Sequence, residues 1–61
     1  MREFAQIETD PRNPARKYVH WRFQAEVNPY PAIVPIRDVT KVTPLPEEGW
    51  TANQDGSYSV P

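Results

Sequence analysis

The sequence predicts a small all-β fold of short antiparallel strands with a C-terminal hairpin, joined by proline-rich connectors and with little or no helix. Three observations predict it. Residues 17–25 alternate apolar and polar side chains, an Asp55-Gly56 pair separates two β-prone runs, and eight of the 61 residues are prolines. Each proline removes a backbone donor and pushes its predecessor toward extended structure, so long helices are disfavoured beyond residue 28.

Taken in chain order, residues 2–7 (Arg2-Glu3-Phe4-Ala5-Gln6-Ile7) offer a first strand with a brief alternation. Asp10-Pro11-Arg12-Asn13-Pro14 reads as a loop, because Asp-Pro and Asn-Pro pairs initiate turns. Residues 17–25 form the clearest strand. Strict period two puts Val19, Trp21, Phe23 and Ala25 on one face, and Tyr18, His20, Arg22 and Gln24 on the other. A helix would scatter Trp21 and Phe23 to different sides.

Asn28-Pro29-Tyr30-Pro31 is a connector with polyproline character. Residues 33–42 supply Ile33, Val34, Ile36, Val39 and Val42, but Pro35 confines the start of that run to an edge strand or an irregular extended segment. Thr43-Pro44-Leu45-Pro46-Glu47-Glu48 is a second stiff connector. The chain then closes as a hairpin with arms at residues 49–52 and 57–60. Asp and Gly tolerate the positive φ that such a turn needs, and Trp50 and Tyr58 are expected to face each other across it. The whole is one small domain, residues 1–61. It comprises an N-terminal strand and loop (1–16), central strands (17–42) and the hairpin (47–61).

A chain this short buries only roughly 60% of the surface that its unfolded form exposes. Small domains compensate with disulfides, a metal or a partner. Cysteine is absent, which removes disulfides and thiolate metal sites, and His20 is the single histidine. A partner chain or self-association is therefore the expected extra source of stability.

The net charge of −1 gives no basic excess for capturing a nucleic acid. Arg12, Arg16, Lys17 and Arg22 lie near Tyr18 and Trp21, a combination that single-stranded nucleic acids use for stacking. The acidic balance, and the place of Trp21 on the apolar face, favour a solvated loop and an amphipathic strand instead. No apolar run approaches the roughly 20 residues of a membrane span. Met1-Arg2-Glu3-Phe4 lacks the apolar stretch of a secretory signal, so the chain is expected to stay in the cytoplasm or in a particle assembled there.

The residues also resemble a family. Tyr18-Val19-His20-Trp21-Arg22-Phe23-Gln24-Ala25-Glu26, the proline-rich spacer, residues 33–40, Pro46-Glu47-Glu48-Gly49-Trp50-Thr51 and Asp55-Gly56-Ser57-Tyr58 resemble short phage and prophage tail-associated proteins. Those proteins pair a V-H-W-x-F-x-A strand with a closing hairpin of the GWT…DG type. The resemblance covers residues 18–61, and Arg22 stands where many relatives carry an apolar residue. It implies a structural or interaction subunit of a bacteriophage virion, in the tail, baseplate or fibre, assembled in the host cytoplasm. Other phage structural proteins would be its partners, with several copies in the assembly. A tail-fibre assembly chaperone and a small phage-encoded inhibitor of a host protein are the alternatives.

No enzyme is expected. His20 is the one side chain suited to general base work at neutral pH, and it falls opposite the aromatic stripe. No nucleophile–base spacing, phosphate-cradling loop or metal-ligand spacing is present, and no cofactor is expected. The candidate functional residues are instead the aromatics Trp21, Phe23, Tyr30, Trp50 and Tyr58, as core or as anchors in a protein interface.

Overall fold

Two long strands sit at the centre of the molecule and three short ones flank them. The computed structural model describes residues 1–61, with β1 at Arg2–Asp10, β2 at Asn13–Ala25, β3 at Ile36–Asp38, β4 at Thr51–Ala52 and β5 at Tyr58–Ser59, and no helix. Together they form one antiparallel sheet in the order β3-β1-β2-β4-β5. The small all-β fold with its C-terminal hairpin is therefore as the sequence predicts.

The first strand is longer than residues 2–7 and occupies an inner position. Its alternation looked brief because Phe4, Ala5 and Ile7 are all buried, Phe4 on one face and the other two on the opposite one. A strand that buries residues on both faces reads as an apolar run rather than as an alternation. The loop at residues 10–14 shrinks to a turn at Pro11 and Arg12, with β2 starting already at Asn13. The Asp10 carboxylate shapes it by accepting the Arg12 backbone N–H at 2.8 Å. That hydrogen bond, helped by Arg16, holds the Asp10 carboxyl below the usual carboxylate range. Pro14 fits because the β1–β2 register is irregular there, with Thr9 opposite Lys17 and Asp10 opposite Asn13.

A second irregularity corrects the sequence reading of β2. Gln6 lies opposite Trp21 and Ile7 opposite Val19, so His20 is an extra residue without a partner on β1. Such a bulge reverses the alternation beyond it. Val19 thus shares a face with Ile7 and Ala5, whereas Trp21 and Phe23 share the opposite face with Gln6 and Phe4. They do not form the single stripe that unbroken period two implies.

The core lies on the Val19 face. Ala5, Ile7, Val19, Val39 and Ala52 are its buried residues, and Val42, Leu45, Trp50 and Tyr58 pack against them. Burying Val19 completely contributes about 1.5–3 kcal/mol. The cover is the chain between β3 and β4. Val39 donates its N–H to the Glu3 carbonyl at 2.9 Å, which starts the cover beside β1. Its far end is fixed on β2, where the Gly49 N–H reaches the Val19 carbonyl at 2.8 Å and the Val19 N–H reaches the Trp50 carbonyl at 2.9 Å. The stiff connector of residues 43–48 thus serves as part of the core's lining, with Pro46 wholly buried. The region of residues 33–42 supplies only the three residues of β3 as strand.

In the terminal hairpin, Ala52 opposes Tyr58 and Thr51 opposes Ser59. Tyr58 therefore has Ala52, not Trp50, across from it; Trp50 lies two positions further along the arm, and both aromatics pack against the core. Gly56 takes φ 91°, a value that disfavours any side chain. The Asp55 carboxylate accepts the Ser57 hydroxyl at 2.6 Å and its backbone N–H at 2.9 Å, and these bonds hold the Asp55 carboxyl below the usual range.

Candidate interaction surface

The face opposite the core carries an aromatic cluster. The Phe4 and Phe23 rings, directly across β1 and β2, stack with centroids 5.4 Å apart. Trp21 lies 5.2 Å from Phe23, and Tyr30, from the proline-flanked connector, meets Phe23 edge-on at 5.4 Å. Such pairs contribute about 0.5–1.5 kcal/mol each beyond area burial. Only Phe4 is buried; Trp21 and Phe23 are half-buried and Tyr30 is exposed. No segment folds over this face as residues 39–50 fold over the other.

Polar groups fix the tryptophan. Its indole Nε1–H donates to Gln6 Oε1 at 2.6 Å, and Gln6 Nε2 donates to Glu8 Oε1 at 2.8 Å. The ring is therefore held in place while part of its surface meets solvent. Tyr30 is positioned by its own N–H, which donates to the Asn28 carboxamide at 3.0 Å. Val27, which lines a recess with Phe4, is 72% exposed, and Ile33, further along the same connector, is 88% exposed.

Of the five candidate residues, the fold brings Trp21, Phe23 and Tyr30 together. Trp50 and Tyr58 lie elsewhere, half-buried against the core. Phe4 and Gln6 complete the cluster and were not singled out in the sequence. The available signal was the pairing of residues 2–7 with the aromatic strand, which needs the register to be known. His20 is exposed beside the Tyr18 ring, 6.5 Å away and edge-on.

The basic residues are mostly engaged within the molecule. Arg16 donates to the Gly49 carbonyl at 2.7 Å, to Thr51 Oγ1 at 3.0 Å and to Asp10 at 3.2 Å, and it lies over the Tyr18 ring. Arg22 sits 3.6 Å from the Glu3 carboxylate. Arg16 and Arg22 are thus matched by acids and carbonyls within the fold, whereas Arg12 and Lys17 are exposed.

The two largest recesses in the surface have no apolar lining residue. The largest, about 500 Å³ each, are lined by Arg2, Asp38, Thr40 and Lys41 and by Arg22, Glu47 and Glu48. A smaller one of about 340 Å³ runs between Phe4 and the chain at Glu26, Val27 and Asn28. In the first, Thr40 donates to the Asp38 carboxylate through its hydroxyl and its N–H, and Arg2 donates at 2.6 Å. These bonds lower the Asp38 pKa to about 2. No His, Cys, Asp or Glu cluster has a metal-binding arrangement, and no helix is long and apolar enough to cross a membrane. Searches against protein-family models, curated proteins and solved structures found no match to this chain.

Proposed function

We propose that this protein is a non-enzymatic interaction subunit of a bacteriophage particle, associated with the tail, baseplate or fibre. The observation that carries the interaction role is the open aromatic face of Phe4, Trp21, Phe23 and Tyr30. Partly exposed aromatics beside the exposed Val27 are the material of a protein interface. The phage assignment is supported by the resemblance carried by residues 18–61. The partners in this reading are other phage structural proteins, and several copies enter each assembly.

Mass spectrometry of purified virions tests the assignment. The 7.1 kDa chain is expected at a fixed ratio to the tail proteins. Its absence from particles, combined with transient binding to a fibre protein, would instead identify an assembly chaperone.

A further inference from the structure

Beyond Val19, the second strand has a neighbour on one side only. β4 pairs with Lys17 and Tyr18, and the Gly49 and Trp50 backbone closes on Val19. Residues 21–25 pair with β1 alone on the inner side, His20 bulges out unpaired, and no other backbone hydrogen bond reaches residues 20–25. An unpaired edge in the middle of a sheet is a template for another strand, and proteins normally blunt such edges. β3, at one outer edge, is blunted by its three-residue length and by Pro35 before it. No proline interrupts residues 20–25.

The two sides of this edge differ in chemistry. On the aromatic face it presents Trp21 and Phe23. On the core face, an open recess of about 500 Å³ lies between Arg22 and the exposed carboxylates Glu47 and Glu48. Arg22 is offset by Glu3, which leaves the recess acidic.

We propose that residues 20–25 receive an extended segment of another protein as an additional strand. The segment carries basic side chains toward Glu47 and Glu48, and apolar ones toward Trp21 and Phe23. Strand addition draws affinity from main-chain hydrogen bonds and specificity from alternate side chains, and this edge offers both. A second copy fits less well. Two-fold pairing of the edge with itself brings both copies of Glu47 and Glu48 to one seam, where like charges repel. The inference rests on the interaction-subunit reading and names the chemistry of the partner.

The probe is a short synthetic peptide of alternating lysine and valine, added to the intact chain. The comparison peptides carry glutamate in place of lysine, or a central proline. Binding is followed by fluorescence anisotropy, and strand addition by NMR amide exchange. The lysine peptide is expected to slow exchange within residues 20–25, and to bind about tenfold more tightly than the glutamate peptide at low salt. The central proline, which lacks a donor, should lower affinity by a similar factor. The Glu47→Gln/Glu48→Gln double variant, altered only at exposed positions, should lose most of the preference for lysine over glutamate. Equal binding of the lysine and glutamate peptides overturns the proposal, as does binding without protection of residues 20–25, or no binding at all. Protection that rises with protein concentration alone also overturns it, in favour of a second copy. The particle assignment is judged separately. A chain present in virions but indifferent to these peptides keeps that assignment and loses the strand-addition site, and the converse result reverses the outcome.

Discussion

Val19 and Trp21 are two positions apart on one strand, yet they belong to surfaces of opposite construction. Val19 faces Ile7, Ala5 and Val39 and is sealed from solvent, with Val42, Leu45, Pro46 and Trp50 of the segment 39–50 completing the seal. Trp21 faces Gln6 and Phe23 and keeps part of its ring in solvent. The sealed side uses small aliphatic side chains that pack closely under a short cover. The open side uses large rings that stack on each other, with Trp21 further fixed by its bond to Gln6, and has no covering segment. The difference teaches that hydrophobicity alone does not locate the core of so small a sheet. The available covering segment decides which face is buried, and the bulge at His20 decides which residues belong to that face.

The harshest way to break this contrast is to place a charge on the sealed side. Val19→Asp puts an unpaired carboxylate where no partner stands, at a cost of about 4 kcal/mol or more. In a domain of this size that loss should unfold the chain, visible as collapse of NMR amide dispersion. The same change at exposed His20, the adjacent residue, should leave the spectrum dispersed.

The tryptophans give a finer test. Trp50→Ala removes a ring packed against the core and should cost about 2 kcal/mol of stability, less than for a fully buried tryptophan. Trp21→Ala should cost about 1 kcal/mol of stability, yet lower incorporation into particles by the equivalent of about 2 kcal/mol when corrected for the folded fraction. Urea denaturation measures the first quantity and quantitative mass spectrometry of particles the second. If both variants lose stability equally and Trp21→Ala still enters particles normally, the two faces do not divide the work as described.

Much of the fold was legible before the structure. Alternation at residues 17–25 marked β2, and Asp55-Gly56 marked the last hairpin, because both signals are local. The faces of β2 were not legible. A bulge adds a residue without disturbing the apparent pattern, so Val19, Trp21 and Phe23 look like one stripe until the partner's register is known. The same limit hid Phe4, whose role depends on lying opposite Phe23. Trp50 and Tyr58 were visible as large aromatics, but only the path of residues 39–50 shows that their surroundings differ from those of Trp21.

The smallest expected effect lies at the sheet's outer edge and concerns neither face. Bonds from Thr40, then from Arg2, hold the Asp38 pKa near 2, below the unfolded carboxylate value of about 3.9. Because the folded pKa is depressed, this contribution is intact above about pH 4 and disappears as pH falls toward 2. The group is solvent-exposed, so the change should be local: amides of β3 and Thr40 shift between pH 4 and 2 while those around Val19 stay put. Asp38→Asn should abolish those shifts.

The two-residue connection at Pro11 and Arg12 also has a kinetic consequence. It joins the two longest strands, so their ladder closes at a small entropic cost compared with the distant pairings of β3 and β4. The β1–β2 ribbon is therefore the natural nucleus, with the segment of residues 39–50 settling onto it late. Late arrival on folding implies early departure on opening: the Val39 and Gly49 amides should exchange with solvent before those between Phe4 and Phe23.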